Sequence, residues 1–147
     1  MILILFEGKN DKTYFESLKQ LFFPEKLDTF VCTYNSNIYS LYTKLREHDV
    51  FAEVLGVDTV SVLKDILLEK GDETLKDIRE DEVSEIYMFF DYDFQENART
   101  LEENNRRLAE MLDFFSDETA NVKLYINYPM VESLSYTKEL CDNDYWT

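Results

Sequence analysis

Two short apolar runs, Ile2 to Phe6 (ILILF) and Ile86 to Phe90 (IYMFF), constrain this chain more than any other feature. Each is too short for a helix and apolar at consecutive positions, the pattern of a central strand covered on both faces. Both stop in carboxylates: Glu7-Gly8 with Asp11 just beyond, and Asp91-Tyr92-Asp93. Asp91 and Asp93 lie two apart, so in extended backbone their side chains point to the same side.

Helical periodicity fills most of the remaining sequence. Tyr14, Phe15, Leu18, Leu21 and Phe22 recur at the spacing of one helical face, with Asn10 or Asp11 as the N-cap. Thr29 to Tyr34 (TFVCTY) is β-branched and aromatic, as a strand requires. Ser36-Asn37 caps a helix striped by Ile38, Leu41, Tyr42 and Leu45, and Asp58 caps another striped by Val60, Leu63, Ile66 and Leu67 that stops at Lys70-Gly71. The acidic stretch from Asp72 to Glu85 reads as a short surface helix or loop. Arg99 to Ser116 reads as a long helix with Leu101, Leu108, Leu112 and Phe115 inward, and Arg106 and Arg107 on its charged outer face. Val122 to Tyr128 is a further strand, stopped by Pro129, and Val131 to Leu140 is helical in pattern. Strands alternating with helices imply a mostly parallel α/β sheet with helices on both faces.

At 147 residues, with no internal repeat or linker, the chain is expected to form a single domain over 1–147. The closing DNDYWT leaves an aromatic pair that is compatible with a chain continuing past Thr147. Cys32 and Cys141 lack metal-ligand spacing and read as reduced thiols of a cytoplasmic protein. The single His48 rules out a His-rich zinc site and reads as a surface residue at a helix end. No apolar stretch reaches the roughly 20 residues of a membrane span. The formal charge of −16 repels polyanions at long range, so a nucleic-acid function would need cations, a local basic rim or a basic partner.

In a parallel sheet the carboxyl ends of the strands share one edge. There Glu7, Asp91, Asp93 and Glu132, the last just after Pro129, can converge although they are distant in sequence. Oxygen ligands without His or Cys favour Mg²⁺ or Mn²⁺. Taken singly, each acid also has an ordinary explanation: Asp91-Tyr92-Asp93 as a turn, Glu132 as a first-turn acid, and Asp11 as a helix cap. Near the proposed mouth the cations are Lys9, Lys12, Arg99 and Lys123. The ten Tyr residues read as core and surface filler, with Tyr92 or Phe94 available to stack on a base.

The combination of FEGKND, FFDYDF and the later NYPMVES resembles the Toprim domain, a Rossmann-like fold, from Ile2 to about Ser135. The third acid in a proline-containing segment is similar to the Toprim nucleases of bacterial phage defence, the overcoming-lysogenization-defect group with its RloB-like and abortive-infection relatives. The resemblance implies Mg²⁺- or Mn²⁺-dependent cleavage of DNA or RNA, with Glu7, Asp91 and Asp93 catalytic. It makes Glu7, Asp91, Asp93 and Glu132 metal ligands, with Gly8 permitting close backbone approach. Lys9, Lys12 and Arg99 would contact substrate phosphate. Many Toprim sequences place a glycine or another acid after the DxD; here Phe94-Gln95-Glu96 follows, leaving Glu96 as a substitute. The implied partners are nucleic acid and an ATPase or other defence subunit. Two other classes remain open: a receiver-like phosphoacceptor, which lacks its expected lysine after VKLYINY, and a non-catalytic Toprim-like binding module or acidic DNA mimic.

Overall fold

A computed structural model describes residues 1–22, 28–51, 58–92, 99–115 and 121–127. Asp93, Phe94, Glu96, Glu132, Cys141 and the expected helix over 131–140 lie outside the described residues.

The strands are β1 (Ile2–Phe6), β2 (Thr29–Thr33), β3 (Glu85–Asp91) and β4 (Val122–Asn127). The helices are α1 (Lys9–Phe22), α2 (Ile38–Glu47), α3 (Thr59–Glu69) and α4 (Leu101–Phe114). The four strands form one all-parallel sheet in the order β2-β1-β3-β4, a Rossmann-like α/β arrangement with β1 and β3 at its centre. The connection from β1 to β2 runs toward one edge, whereas those from β2 to β3 and from β3 to β4 run toward the other. Right-handed crossovers therefore send α1 to one face and the remaining helices to the opposite face.

Side-chain burial follows that division. Leu3, Leu5, Ile86, Met88, Phe90 and Leu124 join buried residues of α2, α3 and α4 in the main core. Across the sheet, Phe6 meets Phe15 of α1 at a ring separation of 5.4 Å. The expected caps are present: the Asn37 side chain accepts from Ser40 N at 2.9 Å, and Asp58 accepts from Val60 N at 3.0 Å. Gly71 adopts φ +77°, the left-handed conformation that ends α3 without a side-chain clash.

Several expectations are corrected. The first helix begins at Lys9, so neither Asn10 nor Asp11 precedes it; Asp11 lies in the first turn and accepts from Gly8 N at 3.0 Å. Tyr14 and Leu18 are exposed, Leu18 by 53%. The helix turns Lys12 and Lys19 toward β2 instead, where they donate to Val31 O at 3.3 Å and Thr29 Oγ1 at 2.6 Å. Both ammonium groups thus reach the side of β2 that carries Thr29, Val31 and Thr33.

The stripe of α4 is also rotated. Leu101 and Leu112 are exposed, while Asn104, Arg107, Leu108 and Met111 are buried. Arg107 is only 9% exposed, with its guanidinium 5.1 Å from the centre of the Tyr42 ring. The acidic stretch from Asp72 is a surface turn and a 3₁₀ turn at Glu80–Glu82, but Leu75 plugs the core at 1% exposure. His48 caps the end of α2 as expected, 3.4 Å from Glu69.

Cys32 is buried, and burial pushes its thiol up to about 12, with Asp72 adding to the effect. In a Cys141→Ser background, native protein should react with a thiol reagent far more slowly than protein unfolded in urea. Unfolded chains release the Cys32 proton near pH 9 while the folded chain keeps it, so this contribution to stability falls as pH rises from about 9 toward 12. Urea midpoints at pH 8 and 10.5 should therefore converge in Cys32→Ala relative to wild type.

Candidate metal centre

The central strands β1 and β3 send their chains in opposite directions, which makes the carboxyl edge between them the topological switch point of the sheet. Open α/β sheets bind ligands at such crevices. Glu7 follows β1 directly, held by its N–H donating to Phe89 O at 3.0 Å and its carbonyl accepting from Asn35 N at 2.8 Å. Its side-chain Oε2 accepts from the backbone N–H of Asp91 at 2.9 Å. One strand-end acid thus grips the backbone of the other.

Asp91 lies inside β3 as its last residue, not in a turn after it, and is only 7% exposed. It pairs in register with Asn127 of β4, whose Nδ2 donates to Asp91 Oδ1 at 3.3 Å. Tyr92 N donates to Asn127 O at 3.0 Å, extending the pairing one step past the strand. Asn127 was not singled out from the sequence. Its only signal is that VKLYIN ends in an amide where β3 ends in an acid, and this acquires meaning once the register is fixed.

A hollow of about 300 Å³ is lined by Glu7, Gly8, Lys9, Asn10, Asp11 and Asp91. Asp11 is brought to the same mouth by the first turn of α1, where its bond to Gly8 N also serves the helix start. This position excludes the N-cap role and leaves Asp11 lining the hollow beside Glu7 and Asp91. A Cβ on Gly8 would meet Asp11 Oδ2 at 3.7 Å, an ordinary contact, so the protein's own packing does not demand glycine there.

The expected phosphate contacts separate. Lys9 lines the hollow. Lys12 instead lines a groove of about 510 Å³ along α1 with Lys9, Thr13, Glu16, Ser17, Gln20 and Thr33. Arg99, just ahead of α4, is engaged by Glu103 in the first turn of that helix at 2.7 Å. Tyr92 donates to Asn105 Oδ1 at 2.9 Å and packs beside the core, which commits it to structure more than to stacking.

A second residue not recognised from sequence is Asn104, in the first turns of α4 at 1% exposure. Its side-chain amide has no hydrogen-bond partner among the described residues. With Arg107 it interrupts the apolar inner face formed by Leu108 and Met111, a signal visible once that face is assigned correctly.

Glu7 and Asp91 supply hard carboxylate oxygens of the kind Mg²⁺ and Mn²⁺ take. Among the described residues no group of three or more His, Cys, Asp and Glu side chains forms a metal cluster. Asp93, Glu96 and Glu132 lie outside those residues. No helix among them is long and apolar enough to cross a membrane. Compared with known proteins, the chain matches no family model, no curated protein and no solved structure.

Proposed function

We propose that this chain is a Toprim-like domain and a Mg²⁺- or Mn²⁺-dependent nuclease that cleaves phosphodiester bonds in DNA or RNA. The observation that supports this most is the joining of Glu7 to the Asp91 backbone at the switch point of a parallel sheet. Two acids distant in sequence are held at the carboxyl edge of the sheet, with Asn127 donating to the second. Glu7 and Asp91 would hold the ion, joined by Asp93 and Glu132 as the resemblance implies. A bound divalent ion would supply Lewis-acid polarisation of the scissile phosphate and lower the pKa of attacking water. Lys9 at the mouth would bind a phosphate oxygen and orient it.

The charge of −16 favours presentation of the nucleic acid by a partner, an ATPase or other subunit of a bacterial phage-defence system. A second reading is favoured by the same hydrogen bond: Glu7 already performs a structural task, as it would in a non-catalytic scaffold.

Glu7→Gln separates the two. The amide oxygen can still accept from Asp91 N–H, so the fold is retained while the charge is lost. With Mn²⁺ and single- and double-stranded substrates, wild type should cleave and Glu7→Gln should not. Equal cleavage by both would exclude Glu7 from the chemistry.

A further inference from the structure

The sheet face that carries Asp91 also carries a row of aromatic rings. Side chains alternate along a strand, so Tyr87, Phe89 and Asp91 share one face of β3, and Lys123, Tyr125 and Asn127 share the same face of β4. The register pairs them as three rungs: Tyr87 with Lys123, Phe89 with Tyr125, and Asp91 with Asn127. Phe6, Phe89 and Tyr125 stack across three neighbouring strands, with ring centres 5.3 and 5.1 Å apart and planes 23° and 14° from parallel. Tyr87 lies alongside, 6.2 Å from Tyr125 and 17° from parallel.

Among the described residues the row ends on the outer strand β4. Tyr125 is 45% exposed, although its neighbours Phe89 and Tyr87 are partly buried and Phe6 is covered by α1. Among the described residues no ring stacks on its outer side. Lys123, one rung from it, sits 5.7 Å from the centre of the Tyr87 ring.

We infer that Tyr125, with Lys123 beside it, is a stacking platform that leads single-stranded nucleic acid into the acidic centre. This rests on the nuclease reading and specifies its substrate as unpaired. Three observations favour that occupant. The platform is continuous with the centre: Tyr125 and Asn127 are successive residues of one face, roughly 6.6 Å apart along the strand. A base would extend a row of nearly parallel rings, a contact every base can make. Lys123 supplies a cation where a neighbouring phosphate would lie.

A second copy of the chain fits less well. The open part of the patch is one tyrosine edged by Lys123 and by Tyr87, whose hydroxyl is bonded to Glu85, far smaller than a stable dimer interface needs. A duplex would hide its base faces from Tyr125.

The test is fluorescence anisotropy of a labelled short oligothymidylate with the full chain in EDTA at about 0.15 M ionic strength, where the Debye length is about 8 Å. Wild type should bind saturably. Tyr125→Ala should weaken binding roughly 5- to 150-fold, and Tyr125→Phe, which keeps the ring, should restore it. Titration of Mn²⁺ should be alike in all three proteins. No saturable binding by wild type, or equal binding by Tyr125→Ala, would overturn the platform, as would preference for duplex. A dimer that Tyr125→Ala dissociates would show the patch to be a self-interface and overturn it too. Tyr125-dependent binding with no Mn²⁺ uptake would instead overturn the metal centre and leave the platform standing.

Discussion

Asp91→Asn is expected to lower Mn²⁺-dependent cleavage by about three to four orders of magnitude while leaving the chain folded. The substitution keeps the shape of the side chain and an oxygen that can accept from Asn127 Nδ2. What it removes is one negative charge from a site only 7% exposed, beside a second carboxylate. A Lewis-acid ion contributes several kcal/mol to the transition state, and each ~1.4 kcal/mol is tenfold in rate. Without metal the variant should melt at or above wild type, because two neighbouring carboxylates repel. With Mn²⁺ at about a hundred times its Kd, wild type should gain about 2.7 kcal/mol from binding the folded state alone, and the variant should gain little. A rise in melting temperature on adding Mn²⁺ that is equal in both proteins would place the ion elsewhere.

Phe90→Ala should have the largest effect on stability, about 3–5 kcal/mol, read from urea unfolding midpoints. The ring is fully buried on the central strand β3 and meets Tyr34 edge-on at 5.9 Å. A domain of this size has only about 5–15 kcal/mol in total, so the variant would lie near the threshold of folding. Phe90→Leu should cost far less, because it keeps most of the buried volume. Phe90 directly precedes Asp91, so its packing against the three-helix core also sets where that carboxylate stands. Tyr125→Ala, on the opposite face of the same sheet, removes a ring that is 45% exposed and should cost little stability. A comparable loss from both would mean that Tyr125 is as tightly packed as Phe90.

The centre of the fold was legible because its signals are local. ILILF and IYMFF are apolar at nearly every position, and that places both strands at the centre of the sheet. Asn37, Asp58 and Gly71 act on backbone groups two or three residues away, so sequence neighbours suffice to read them. The faces of α1 and α4 were not legible, because an amphipathic stripe does not reveal what it will meet. Leu18 is exposed since α1 lies over the threonine side of β2, which Lys12 and Lys19 reach instead. Arg107 is buried since Tyr42 of α2 offers it a ring, and no sequence spacing reports that encounter. The candidate site divides in the same way. That acids end β1 and β3 can be read directly, and a parallel sheet brings them to one edge. That Glu7 accepts from the Asp91 backbone, and that Asn127 faces Asp91, depends on register between segments more than 30 residues apart. The platform of Tyr125 has the same origin: VKLYIN shows alternation, but which ring will lie beside Phe89 follows only from the pairing of β3 with β4.

The most direct test of the central claim is calorimetric titration of Mn²⁺ into wild type and Asp91→Asn, each confirmed folded by circular dichroism. Saturable uptake by wild type that is lost in the variant is the predicted result. Identical uptake by both proteins, or none by wild type even with a non-cleavable oligonucleotide present, would contradict a metal centre at the Glu7–Asp91 edge.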